Sequence, residues 1–231
     1  MNEKYELTEE FKEIETLREG WLQKIKVYRI RALRAFADVK IGDLGGFVET
    51  KQNLSNMGNA WVCDNARVYG NAEVYGDAEV YGDAKVYGDA RVCNNARVCD
   101  NAEVYDNARV CGDAKVCNNA RVYGNARVCD NAKVYGNAEV CGDAKVCDNA
   151  NIFWCSSIGS RHATTTMFRN EDNGITVTCG CFMGTLEEFA GIVEKEHGEN
   201  IFGKEYKLLI ELAKIHFGLQ DETKGEEENG I

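Results

Sequence analysis

A six-residue repeat governs what this chain can become. From Asn59 the sequence runs Asn/Asp, Ala, any residue, Val, Tyr/Cys, then Gly/Asp/Asn. Sixteen such units fit up to Trp154, the last being the altered Asn149-Ala-Asn-Ile-Phe-Trp154. A strict short period means a stacked architecture in which each unit buries its apolar face against its neighbours. In the unit Asn71-Ala-Glu-Val-Tyr-Gly76, Ala72 and Val74 are two residues apart and share one face of an extended strand. Glu73 and Tyr75 share the other face. Gly76 and Asp77 make a corner, since Gly, Asn and Asp tolerate left-handed backbone angles. A helix is excluded, because Val and Asn are poor helix formers and a breaker recurs in every unit.

A six-residue rung cannot close a coil alone, but three rungs close a triangle. Taken at every third rung, the outward position reads Tyr69, Tyr87, Tyr105, Tyr123, Cys141 on one face. The next face reads Tyr75, Cys93, Cys111, Cys129, Cys147, and the third Cys63, Tyr81, Cys99, Cys117, Tyr135, Phe153. Like residues segregate by face, as stacking of like on like would produce. Sixteen rungs make just over five coils, a prism roughly 25 Å long at about 4.8 Å per coil.

Val at one position with Ala four residues later resembles the hexapeptide-repeat pattern of the left-handed parallel β-helix. The left hand is what that resemblance implies; the general crossover preference points the other way. With the GDLGGFVE segment (42–49) and Asn53-Leu-Ser55 followed by Gly58-Asn-Ala-Trp-Val62, residues 28–154 resemble a family of uncharacterised bacterial and phage hexapeptide-repeat proteins. These are often labelled transferases on fold alone, and fold does not fix function. The resemblance also implies a homo-oligomer, a trimer about a three-fold axis. Its contact would be the Tyr69, Tyr87, Tyr105, Tyr123 strip or the cationic row Arg91, Arg109, Arg127.

Around the repeats the expectation is mainly β. Residues 1–58 form an N-terminal cap, 59–154 the β-helix, 155–219 a small α+β domain of ββαα order, and 220–231 a disordered acidic tail. Thr8 would cap a helix over residues 8–19 with Phe11, Ile14 and Leu17 on one stripe. Ile25–Leu33 reads as a strand. Residues 38–62 would plug the first open coil, since an exposed end invites edge pairing. Thr164–Arg169 and Ile175–Phe182 alternate as two strands around a turn at Asn170–Gly174. Thr185-Leu-Glu-Glu188 is a capping box for a helix to about His197, stopped by Gly198, and Tyr206–Phe217 is a second amphipathic helix.

The formal net charge of −11 is uneven. Residues 59–154 hold ten basic and fourteen acidic side chains, and residues 155–231 seven and fourteen, a balance that disfavours a generic grip on DNA. No apolar run approaches the length of about 18 residues that a membrane helix needs, so none is expected. The acidic N-terminus lacks an apolar leader core, so the expected location is the cytoplasm. Most of the eleven cysteines then read as free thiols serving as small hydrophobes.

Chemistry is sparse in the rungs. Acyltransferases of the resembled fold use a histidine near the solenoid surface, and the related carbonic anhydrases hold zinc with three. Here His162, His197 and His216 all lie outside the rungs, so no catalytic residue carries over. Stacked cysteines at about 4.8 Å along a face make no tetrahedral metal site, and no cofactor is expected. Cys179-Gly-Cys181, joined by Cys155 or His162, is a weaker metal candidate. The most suggestive cluster is Ser160, Arg161, His162, Thr164, Thr166 and Arg169, whose hydroxyls and guanidinia suit an anion. These residues would line a pocket between the last coil and the C-terminal domain. The expected function is a non-enzymatic, phage-type binding scaffold that sequesters an anionic, nucleotide-like ligand or blocks a host protein in counter-defence. An acyltransferase with His162 as base, and acidic mimicry of nucleic acid, are the alternatives.

Overall fold

The structure, a computed structural model, describes residues 3–18, 20–148, 151–170 and 172–219. The repeat sequence forms a β-solenoid of about six turns. Its first strand is β3 (Leu44–Val48), followed by fifteen two-residue strands, β4 (Trp61–Val62) to β18 (Lys145–Val146). Three parallel faces result, ordered β3-β5-β8-β11-β14-β17, β4-β7-β10-β13-β16 and β6-β9-β12-β15-β18. Partners lie three rungs apart, as in Arg91↔Arg109↔Arg127 and Val98↔Val116.

Backbone bonds join each coil to the next. Arg91 N–H donates to Ala108 O at 2.9 Å, Cys93 N–H to Val110 O at 2.9 Å, and Asn95 N–H to Gly112 O at 3.0 Å. Within the triangle, the Ala and Val of every rung from Ala60 to Val146 are at most 1 % exposed. Each buried Val contributes roughly 1.5 kcal/mol or more. Fourteen successive corners, residues 64 to 142, take positive φ; Gly76 has +72° and Asn94, one coil on, +60°. A Cβ at Gly76 would lie 2.9 Å from the Asn94 backbone nitrogen, so this corner has no room for a side chain. Where Asn or Asp occupies the corners, the side chains bond along the stack. Asp100 Oδ2 accepts from Asn118 N–H at 3.0 Å, and Asn95 Nδ2 donates to Asp113 Oδ1 at 2.9 Å.

At the N-terminal end the expected helix over residues 8–19 is instead a strand. β1 (Tyr5–Arg18) and β2 (Trp21–Ala32) form a long antiparallel hairpin that continues the β3 face. Helix-forming Glu, Lys and Leu are overridden by pairing, since an acidic β1 lies against a basic β2. Glu13 faces Lys26, Glu15 faces Lys24, and Arg29 and Arg31 pair with Glu10 and Glu6. The strand expected at 25–33 therefore starts four residues earlier. The end coil is closed by Tyr5 and Phe36, both edge-on to Trp61, and by buried Lys4, whose Nζ donates to Ala60 O at 2.8 Å.

At the other end Ile152, Phe153 and Trp154 of the last expected rung lie in an antiparallel strand instead of a two-residue parallel one. Asn149 and Ala150 lie outside the described residues, and the chain enters β19 (Ile152–Ile158). With β20 (Ala163–Arg169), β21 (Ile175–Cys179) and β22 (Phe182–Thr185) it makes a four-stranded antiparallel sheet. The ββαα expectation is thus corrected to ββββαα. Phe153 leaves the third face and packs beside His216. Gly180, at φ +60°, splits the expected strand 175–182 into β21 and β22. Helix α1 (Leu186–His197) has the expected Thr185–Glu188 capping box and stops at Gly198. Helix α2 (Ile201–Phe217) begins five residues earlier than its apolar pattern suggested, capped by Asn200. The tail expected beyond Leu219 lies outside the described residues.

The inward and outward assignments make a direct prediction. Val110→Asp places an unpaired charge inside the stack and should cost several kcal/mol. Arg109→Ser, on the exposed neighbour, should stay within about 0.5 kcal/mol. Denaturant melts of both variants check this.

Candidate functional site

The hydroxyl- and arginine-rich segment does not converge on one pocket. Thr166 is buried at the end of the solenoid, where its Oγ1 accepts the Glu139 N–H at 3.1 Å. Thr178 donates to Glu139 O at 3.3 Å, and Ala144 bridges Asn170. Phe168 and Ile152, both buried, join the solenoid core. This face of the sheet is therefore the C-terminal plug. Arg169 serves another end: its Nη2 donates to Phe217 O at 2.6 Å, satisfying a carbonyl at the C-terminus of α2. Its Nη1 donates to Asn173 O at 3.1 Å.

Ser160, Arg161 and His162 are exposed at the tip of the β19–β20 hairpin, which carries them about 10 Å or more beyond Thr166. The tip is held firmly. Gly159 N–H donates to Glu205 Oε2 at 3.0 Å, and a Cβ at Gly159 would fall 1.9 Å from the Tyr206 hydroxyl. Thr164 sits partway along, 2.9 Å from Ser156 Oγ. The cavity at the junction itself, about 240 Å³, is lined by Cys141, Asp143, Asn170, Asp172, Thr176 and Met183. Its charged lining is acidic rather than cationic. The reason is geometric: a seven-residue strand leaving the solenoid moves its far end away from the junction.

The histidines stand apart from one another. His162 is at the hairpin tip, His197 packs on Phe202 and Tyr206, and His216 packs on Phe153 and Phe217. Cys179 faces Thr165 and Tyr206, whereas Cys181 is exposed in the β21–β22 turn, so the pair does not share a strand face. On the solenoid, Cys99–Cys117 and Cys129–Cys147 are disulfide-bonded; seven cysteines are free thiols. Burial pushes the Cys63 thiol up to about 11 and also raises Cys111 and Cys141. Protonated thiols are weak nucleophiles and weak metal ligands.

The Tyr strip is a ring stack. Tyr69, Tyr87, Tyr105 and Tyr123 lie at centroid spacings of 5.0 Å with planes within 4° of parallel. Its upper end is covered by the chain's own hairpin. Tyr69 is buried with Val27 and Phe47, and Ile14, Ile25 and Tyr87 pack against that cluster. Of the cationic row, Arg91 pairs with Glu73 one coil above at 3.8 Å, and Arg109 and Arg127 stand in register below it. Elsewhere charges alternate along the stack, as in Lys85–Glu103 at 2.8 Å and Arg97–Glu79 at 3.1 Å. Such exposed pairs add little stability.

The feature that sequence reasoning missed is the hairpin tip. Leu17, Trp21 and Leu22 are 66–75 % exposed there. The tip overhangs the Tyr stack and walls an open groove of about 860 Å³. Thr16, Leu17 and Arg18 form one side, and Tyr69, Tyr87 and Tyr105 lie on the other. Reading residues 8–19 as a helix hid this signal, because Leu17 then joined an apolar stripe facing a core.

Fold and surface together define a β-solenoid repeat protein capped at both ends. A family model described as the YdcK beta solenoid repeat matches residues 60–76 and 114–130, both within the coils. No curated protein matches the chain. Among the described residues no helix is long and apolar enough to cross a membrane.

Two outcomes follow. Thr166→Val leaves the Glu139 N–H without a partner and should cost about 1–3 kcal/mol. Hydrogen exchange should show faster exchange at the last coil. Burial also pushes Tyr69 and Tyr105 up to about 12, above their value in an unfolded chain. A raised folded value favours the neutral phenol, so this contribution is complete below about pH 10 and is lost as pH rises toward 12. Absorbance titration near 295 nm should show these phenols ionising later than free tyrosine, together with loss of the fold.

Proposed function

We propose that the protein is a non-enzymatic binding scaffold whose partner is another protein, engaged through the tip of the β1–β2 hairpin. The exposed Leu17, Trp21 and Leu22 carry this reading. Large apolar side chains clustered at a protruding tip beside an aromatic-lined groove mark a protein contact. The solenoid behind the tip is a rigid support, since every rung is locked to the next coil by backbone bonds.

Two target classes follow from the sequence, an anionic nucleotide-like ligand and a host protein, and the geometry favours the second. Thr166 and Arg169 are spent on the solenoid end and on α2, leaving the exposed Ser160–His162 tip without their help. In the phage or prophage setting that the resemblance implies, blocking a host protein would serve counter-defence in the cytoplasm. Acidic mimicry of nucleic acid gains no support, because stacked Lys/Arg–Glu pairs interrupt the negative surface.

The test compares wild-type protein with Trp21→Ser/Leu22→Ser as bait in extract of the source cell, alongside a nucleotide panel read by thermal shift. The scaffold reading expects a stoichiometric protein partner on wild type, lost from the variant at unchanged melting temperature, and no nucleotide response. Saturable stabilisation by a nucleotide, weakened about 1.5–3 kcal/mol by Arg161→Ala, would instead establish the ligand reading.

A further inference from the structure

Helix α2 has two apolar stripes, and only one is used within the chain. Tyr206, Leu209, Ile210, Ala213 and Phe217 are buried against α1 and the sheet. On the opposite side Ile201, Leu208, Leu212, Ile215 and Leu219 are 37–77 % exposed. The first four lie within the helix at spacings of 7, 4 and 3 residues, the period of a helix–helix seam, and Leu219 follows the Gly218 cap. A singly exposed leucine is ordinary; four on one line along a 17-residue helix are not.

We infer that this stripe pairs with the same stripe of a second copy, as an antiparallel two-helix contact. The four stripe residues within the helix are each 51–77 % exposed, and a second copy would cover them with apolar side chains of the same kind. Residues 220–231 do not suit the stripe, because they are acidic and hold one apolar side chain, Ile231. The β1–β2 hairpin belongs to the opposite end of the solenoid.

Charge selects the orientation. Lys204 and Glu211 border one side of the stripe and are both exposed. An antiparallel copy brings Lys204 beside the partner copy's acidic Glu211 and aligns the two helix dipoles favourably. The pairing does not depend on the hairpin tip having a partner. It would place two such tips at the far ends of one assembly, turning a single contact into a bivalent one.

Sedimentation velocity or light scattering on the full chain at tens of micromolar tests this. Wild type should run at twice the chain mass. Leu208→Lys/Leu212→Lys should run at the chain mass with an unchanged far-UV spectrum, because both positions are exposed on each copy, and its melting temperature should lose the dependence on protein concentration that pairing gives wild type. Lys204→Glu should weaken dimerisation about tenfold or more, and Lys204→Glu/Glu211→Lys should restore it. A single-chain mass for wild type overturns the proposal. So does a dimer, or a three-chain assembly on the solenoid faces, that survives the double lysine variant. Failure of the charge swap to restore pairing overturns the antiparallel orientation.

Discussion

The stacking of one three-rung coil on the next is the constraint from which the rest of this structure follows. Backbone N–H groups of each rung reach carbonyls of the following coil, so the backbone bonds are satisfied only when the period is kept. The interior is then a column of Ala and Val sealed from water. A two-residue strand has almost no stability of its own; it exists because copies lie above and below it. Outward residues inherit the same period without choosing it, and so Tyr meets Tyr or Cys, Cys meets Cys or Tyr, and Arg meets Arg, Lys or Glu. The disulfides at Cys99–Cys117 and Cys129–Cys147 and the Tyr ring stack are consequences of register.

A column of this kind leaves open coils at its ends, and the non-repeat segments answer that problem in two ways. The N-terminal end extends one face into a hairpin and fills the triangle with Tyr5, Phe36 and Trp61. The C-terminal end turns a second sheet across the triangle, with Thr166 and Thr178 supplying the bonds that a further coil would have made. Residues that look chemically interesting in sequence, hydroxyls and arginines above all, are partly consumed by this closure. The surfaces left over are apolar and lie at opposite poles: the hairpin tip and the outer stripe of α2.

The repeats were legible because period, residue size and corner chemistry all point one way. Val74 and Ala72 inward, Tyr75 outward and Gly76 at the corner needed no tertiary information. The α1 capping box at Thr185–Glu188 was equally local. Residues 8–19 were not legible, since Phe11, Ile14 and Leu17 suit a helix, and only the basic strand β2 makes them a strand. The candidate site failed for the same reason at longer range. Thr164, Thr166 and Arg169 share a strand, but their partners Ser156, Glu139 and Phe217 lie 8, 27 and 48 residues away. The α2 stripe was hidden because an amphipathic reading looks for one buried face, and this helix has a second apolar line.

The central claim, that positions three rungs apart are neighbours on the same face, can be read from the native cysteines. Diamide oxidation of the folded protein, followed by tryptic mapping of linked peptides by mass spectrometry, samples which thiols touch; Cys117→Ser is mapped beside wild type, because Cys93 and Cys117 lie in tryptic peptides of identical sequence, residues 92–97 and 116–121. The structure predicts that links among Cys93, Cys99, Cys111, Cys117, Cys129 and Cys147 join only partners three rungs apart, such as Cys93–Cys111 beside the bonds already at Cys99–Cys117 and Cys129–Cys147. Links in the folded state between cysteines one, two or four rungs apart, such as Cys93–Cys99 or Cys99–Cys111, would contradict the three-rung coil.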